Sequence, residues 1–268
     1  MAAHHMHYKE IAPPGHLMRH VECFWMFETG AIDETSPPHV IVPDGTVSIS
    51  CVFLPGGENF VGLSGPSLVA HRTNLIPHTK YAGIRIRAGA AGSILKVGIS
   101  RFRDSFGPVT PPIPQAIQIM MDHAGECDAS SGIVRMMQRA AESIVGSALP
   151  LDEAVHGYCA EIMRRGGQGG LAEIAQTAPV SIRQLRRKFS YQCGLSAKEF
   201  ARLRRVRQAC LVMLDSPASD NAQAAVQAGF ADQSHMTREF GDIFGNSAKL
   251  VTDYLRQISH GNLVRENM

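Results

Sequence analysis

The sequence predicts an α+β chain. A β-rich N-terminal region, built as a small barrel or sandwich, is followed by a helical connector and an all-α C-terminal region with two helix-turn-helix units. Three observations predict it. At 268 residues with 44% hydrophobic side chains, the chain can bury two cores. Up to about residue 112, short β-branched and aromatic runs alternate with Gly/Pro turns. From Leu171 onward, apolar residues recur at helical spacing behind polar capping residues.

Residues 1–10 carry His4, His5 and His7, read as a polar terminus rather than a metal site. Val21–Phe27 is an apolar, aromatic run holding the only Trp, Trp25. Val40–Val42 and Thr46–Leu54 flank Pro43-Asp44-Gly45, a strong turn signal between strands. Gly83-Ile-Arg-Ile-Arg87 alternates apolar and basic residues, as a half-exposed strand does. That places Arg85 and Arg87 on one strand face, where they are either solvated or bind an anionic effector. His39, His71 and His78 have no ligand spacing, so they read as ordinary histidines. Ile113–Met121, Ile133–Val145 and Leu151–Arg165 have helical periodicity. The methionine-rich helices among them serve either as a dimer surface or as packing onto their own domain. Gly166-Gly-Gln-Gly-Gly170 reads as a flexible joint. The divisions are therefore 1–112, 113–165, 166–258 and a tail at 259–268.

The C-terminal elements follow in order. Leu171–Ala178 is a short helix. Ser181 is an N-cap opening a helix whose inner face carries Ile182, Leu185 and Phe189 and whose outer face carries Arg183, Arg186 and Arg187. Ser196–Leu214 is one longer helix with Phe200, Leu203, Val206, Cys210 and Met213 or Leu214 at helical spacing. Asn221–Ala228, the turn Gly229-Phe230-Ala231 and an Asp232-capped helix to Phe244 repeat the helix-turn-helix pattern. In that second unit Met236, Phe240 and Ile243 face inward. Ser247–Arg256 closes the set.

Two such units about 50 residues apart, joined by a long helix, resemble the DNA-binding domain of the AraC/XylS family of bacterial transcription regulators. The resemblance rests on Leu171-Ala-Glu-Ile-Ala, Ser181-x-x-x-Leu-x-Arg-x-Phe189, Gly194-x-Ser196, Leu203-Arg204, and above all Gly229-Phe-Ala-Asp-Gln-Ser-His-Met-Thr-Arg-Glu-Phe240 with Phe244-Gly245. Pro179 departs from it, standing where the family usually has a turn Gly. Ala197 and Ala248 depart too, standing where the family favours Pro. The N-terminal region is similar to a domain of uncertain role in one subgroup of these regulators, through Glu22-Cys-Phe-Trp25, Pro43-Asp-Gly45 and Gly83-x-Arg-x-Arg87-x-Gly89-Ala90. The resemblance implies a sequence-specific regulator controlled by a ligand or partner at the N-terminal domain. Arg183, Arg186 and Arg187 would read bases in one major-groove segment. Gln233, Ser234, His235 and Arg238 would read another, one helical turn along. Arg202, Arg204, Arg205 and Thr237 would contact phosphates or support. Its implied partners are double-stranded DNA, a small-molecule effector, a second copy of the chain and, for an activator, RNA polymerase. No cofactor is implied.

Charge distribution agrees. The net charge of +2 says little, but residues 171–214 hold nine Lys/Arg against two acids, a local +7, and residues 215–256 hold three against six, a local −3. The sequence has no Gly-x-Ser-x-Gly elbow, phosphate loop or Rossmann fingerprint. Its six cysteines are scattered, as in free thiols of a reducing cytoplasm, and a nucleoid-associated location is expected. No signal peptide or membrane-spanning run is present. The competing reading is a DNA-repair alkyltransferase fused to the same DNA-binding domain, with Cys23 or Cys51 as the nucleophile.

Overall fold

The computed structural model describes residues 6–32, 38–108, 119–120, 122, 130–176, 178–215 and 221–260. Most of the helix expected at Ile113–Met121, the histidines at 4 and 5, and nearly all of the tail lie outside them. The strands are β1 (Met6–Ile11), β2 (Val21–Thr29), β3 (His39–Ile41), β4 (Val47–Phe53), β5 (Asn59–Ser64), β6 (His71–Thr73), β7 (Lys80–Ile86), β8 (Phe106–Pro108) and β9 (Ser259–His260). The helices are α1 (Ala91–Leu95), α2 (Ser130–Gly146), α3 (Glu153–Arg164), α4 (Leu171–Gln176), α5 (Ile182–Cys193), α6 (Ala197–Asp215), α7 (Asn221–Gln227), α8 (Gln233–Phe244) and α9 (Ala248–Arg256).

The class is α+β as expected, and of the barrel or sandwich expected for the β-rich region, no closed barrel forms among the described residues. The main sheet is open, in the order β8-β5-β4-β7-β2-β1-β9, and β3 pairs separately with β6. The physical reason is that both faces of the sheet are covered. Phe24, Met26, Ile49, Ala82, Ile84 and Ile86 face one core with Ile133, Met136, Met137, Ala140 and Ile144 of α2. Phe27, with Tyr8, Trp25 and Tyr81 beside it, faces a second core shared with Leu203, Val206, Met236 and Phe240 of the C-terminal helices. A sheet with helices on both faces gains nothing by curling onto itself. A register shift between Val21 and Cys23 marks an irregularity where β2 pairs with β7. Gly83 leaves space for the Trp25 ring, which would lie 2.6 Å from any Cβ there.

The segment expected as a connector is divided between the two sides. The methionine face of α2 is buried in the sheet's own core, so packing accounts for it. Helix α3 joins a third core, where Val155, Tyr158, Cys159 and Ile162 meet Ile174, Leu185, Phe189 and Phe200.

The glycine stretch at 166–170 is not a free joint. Gly166, Gly167 and Gly169 take φ of +57°, +77° and +90°. Gly167 packs so closely on α6 that a Cβ would lie 2.1 Å from the Ala201 carbonyl oxygen. These glycines serve a left-handed backbone and close approach rather than flexibility. Gly167→Ala is expected to cost more than about 2 kcal/mol in urea unfolding, from the αL strain and a backbone clash together. A loss under about 0.5 kcal/mol would show that the stretch yields easily.

Candidate nucleic-acid interface

The first unit is α4 and α5. Ser181 and Gln184 form a capping box: Ser181 Oγ accepts from the Gln184 backbone N–H at 3.3 Å, and Gln184 Oε1 accepts from the Ser181 N–H at 3.2 Å. Gly194 ends the helix at φ +72°, its N–H donating to the Ser190 carbonyl at 2.9 Å. Leu185, Phe189 and Cys193 are buried, while Ile182, expected inside, is 39% exposed at the first turn. Arg183, Arg186 and Arg187 are all exposed, and no carboxylate among the described residues pairs with them. Pro179 lies outside the left-handed region, so it does not supply in the first turn the positive φ that Gly229 supplies, at +77°, in the second.

The second unit is α7 and α8. The Asp232 carboxylate accepts from the His235 backbone N–H at 2.6 Å and caps α8. Met236, Phe240, Ile243 and Phe244 are buried, and Gln233, Ser234, Thr237 and Arg238 are exposed. His235 is placed differently. It is half-buried, edge-on to Phe230 at 5.4 Å, with Nε2 3.5 Å from the Glu239 carboxylate.

The rod between the units, α6, starts with a second reciprocal cap. Ser196 Oγ accepts from the Glu199 N–H at 3.2 Å, and Glu199 accepts from the Ser196 N–H at 2.7 Å. Of the two roles expected for the three arginines of this rod, phosphate contact or support, each has partners within the protein that suit support. Arg202 pairs with Glu239 and, at 3.0 Å, with Asp242, tying the rod to α8. Arg204 is 4% exposed and binds Glu22 of β2 through both guanidinium ends, at 3.1 and 2.8 Å. Arg205 donates to the Gly167 carbonyl at 3.3 Å and stands 5.7 Å over the Phe230 ring. Lys198, not singled out in the sequence, is exposed at the start of the rod. A signal for Arg204 was present, because it follows Phe200 by four positions and so lies on the rod's apolar stripe.

Arg85 is likewise not on a solvated strand face. Its Nη1 lies 2.6 Å from Glu10, its Nε 2.7 Å from Asp44 and its Nη2 3.1 Å from the Tyr8 hydroxyl. Arg87 lies just past β7, and its Nε donates to the Met18 carbonyl at 2.7 Å. The pair therefore makes no shared anion site; Arg85 is neutralised by carboxylates of its own chain. Glu10 also meets Arg207 of α6 at 3.4 Å. Burial pushes the Glu22 carboxyl up, but the charge and hydrogen bonds of Arg204 outweigh it and hold the group at about 2.

The histidines do not gather. His39 Nδ1 is 2.6 Å from the Tyr254 hydroxyl, and His71 stacks on Phe106. Among the described residues no group of three or more His, Cys, Asp or Glu side chains is placed to hold a metal.

Residues 174–253 match a family described as "Helix-turn-helix domain". The C-terminal region is an AraC-type helix-turn-helix domain. Residues 9–108 match a family described as "Domain of unknown function (DUF6597)". Curated proteins returned no match. Among solved structures, apo ToxT from Vibrio cholerae aligns at 11% identity over 94% of this chain and 98% of that one, with a TM-score of 0.42. Another ToxT structure from Vibrio cholerae aligns at 12% identity over 96% and 99%, with a TM-score of 0.41. An unsaturated-fatty-acid-bound wild-type ToxT aligns at 8% over 97% and 99%, with a TM-score of 0.42. Among the described residues, no helix is long and apolar enough to cross a membrane.

Proposed function

We propose that this chain is a sequence-specific transcription regulator that binds double-stranded DNA through two reading helices. The observation that carries the reading is the pair of capped helices with exposed polar outer faces: Arg183, Arg186 and Arg187 on α5, and Gln233, Ser234, Thr237 and Arg238 on α8. Helix N-terminal halves of this kind enter a major groove and present side chains to base edges. In this reading the chain works in the cytoplasm on the nucleoid. An N-terminal effector, a second copy of the chain and RNA polymerase remain its proposed partners.

The alkyltransferase alternative asks for an accessible thiolate. Cys23 and Cys51 are both 0% exposed. Arg85 Nη1 lies 3.4 Å from Cys23 Sγ, but burial dominates and pushes that thiol up to about 12. A sealed, protonated thiol cannot take an alkyl group from DNA, so we read the chain as a binding protein.

Selection of bound sequences from random DNA tests this. The expected result is two short enriched blocks about 10 base pairs apart, centre to centre. No enrichment over the input pool would sink the reading.

A further inference from the structure

The N-terminal region holds the DNA-binding helices at three points, and each point bears on how the two reading helices are placed. The first is the end of α5. The 3-10 turn Ile99–Phe102 and α1 pack there, so close that a Cβ on Gly194 would lie 3.0 Å from the Ile99 backbone and one on Gly98 3.1 Å from the Tyr191 ring. The second is the middle of the α6 rod. There Glu22 binds Arg204, and the Pro43-Asp44-Gly45 turn rests on the rod, with Gly45 leaving room for Phe200. The third is the end of α8. Arg72 of β6 donates to the Phe244 carbonyl at 2.7 Å, and the Ala70 N–H donates to the Ile243 carbonyl at 2.7 Å. Those two carbonyls belong to the last turn of the helix, where backbone acceptors have no partner within the helix.

The reading helices each pack on the rod. Their relation therefore depends on how the rod and the two helix ends are held. All three holds come from outside the DNA-binding domain. The one at Glu22 is an ion pair with both side chains 5% exposed or less, which tolerates little sliding.

The geometry points to Glu22 and Arg72 as positioning residues for DNA recognition: acting through Arg204 and through the carbonyl end of α8, they set the spacing and angle of the two reading helices and so fix which half-site spacing the protein accepts. The inference rests on the DNA-binding reading above. It assigns the N-terminal region a part in specificity although it touches no base. A shift of either hold lets α8 re-aim relative to α5 while each outer face keeps its own side chains.

The test uses the full chain and a selected two-block DNA site, with and without one base pair inserted between the blocks. The insertion moves the second block by about 3.4 Å and turns it by about 35°. Wild type is expected to lose about tenfold or more in affinity on insertion, the loss that misplacing one good base contact brings. In Glu22→Gln and in Arg72→Ala this penalty is expected to shrink at least threefold, with single-base preferences inside each block unchanged. A general loss of stability would lower affinity for both DNAs alike and leave their ratio where it was. An unchanged ratio in both variants overturns the inference. A change in one alone removes the other residue from it. If Glu22→Gln does not fold, Arg72→Ala, at an exposed position, decides. Wild type that binds no two-block site overturns the DNA-binding reading first and this inference with it.

Discussion

Glu22→Ala is expected to lower the free energy of unfolding by about 3–5 kcal/mol, because it leaves the Arg204 guanidinium buried with its main counter-charge gone. The loss is large for its position: Glu22 sits on a strand in the N-terminal region, and Arg204 lies 182 residues away on the rod of the DNA-binding domain. Arg204 also stands 5.0 Å over the Phe200 ring, a contact too weak to compensate a desolvated cation. Replacing both partners by apolar residues, Glu22→Leu with Arg204→Met, is expected to recover most of the loss, since the desolvation cost of both charges goes too. The sign of the pH dependence follows from the depressed Glu22 pKa. Its contribution is complete above the ordinary carboxylate value of about 4.3 and is lost as pH falls from there through about 2. Between pH 6 and 8 the pair is therefore constant. Urea unfolding of the two single variants and the double variant checks this. A single-variant loss under about 1 kcal/mol, or a double variant no better than the singles, would show that the pair is not the hold described here.

Arg183→Ala with Arg187→Ala is expected to produce the largest loss of DNA affinity. Each bidentate Arg–guanine contact contributes about 1–3 kcal/mol of discrimination, so each substitution is expected to weaken the preferred base by roughly 5- to 150-fold. Preference at one or two positions should relax while other positions keep theirs. The local +7 of the first unit overstates what DNA can use. Arg202, Arg204, Arg207 and Lys188 are paired with Glu239 and Asp242, Glu22, Glu10 and Asp152. Arg183, Arg186, Arg187 and Lys198 remain exposed, so the salt slope from this unit should be roughly −3 to −4, rather than the steeper value nine cations suggest. Arg238 is the exposed cation on the outer face of α8, which should add selectivity with little salt dependence. Binding to a panel of single-base-substituted sites at two salt concentrations measures all of this. If Arg183→Ala lowers every affinity by one factor, these arginines touch phosphates only. If Arg238→Ala costs more than the first-unit arginines together, the proposed division between the helices is wrong.

The local structure of the DNA-binding half was legible in the sequence. Ser181 and Asp232 each cap the helix expected of them, because an N-cap needs only one short polar side chain and the next three residues; Ser196 and Ser247, read as the first residues of their helices, are caps too. The inward stripes Leu185/Phe189 and Met236/Phe240/Ile243 followed from 3.6-residue periodicity alone. In the N-terminal half, the strands around Val21–Phe27, Thr46–Leu54 and Gly83–Arg87 were legible, and so was the turn at Gly45, whose φ is +75°.

The sequence by itself thus determined the α+β class, the position of most elements, the caps, and which faces of α5 and α8 are polar. Only the tertiary structure decided which charged residues face water. Arg85, Arg202 and Arg204 looked like surface cations because their partners Glu10, Asp44, Glu239 and Glu22 are distant in sequence, and a charge is buried or exposed according to what packs on it. The same holds for the sheet. Alternation shows that a strand has two faces, but whether it curls into a barrel depends on what covers the second one, and here the C-terminal helices do.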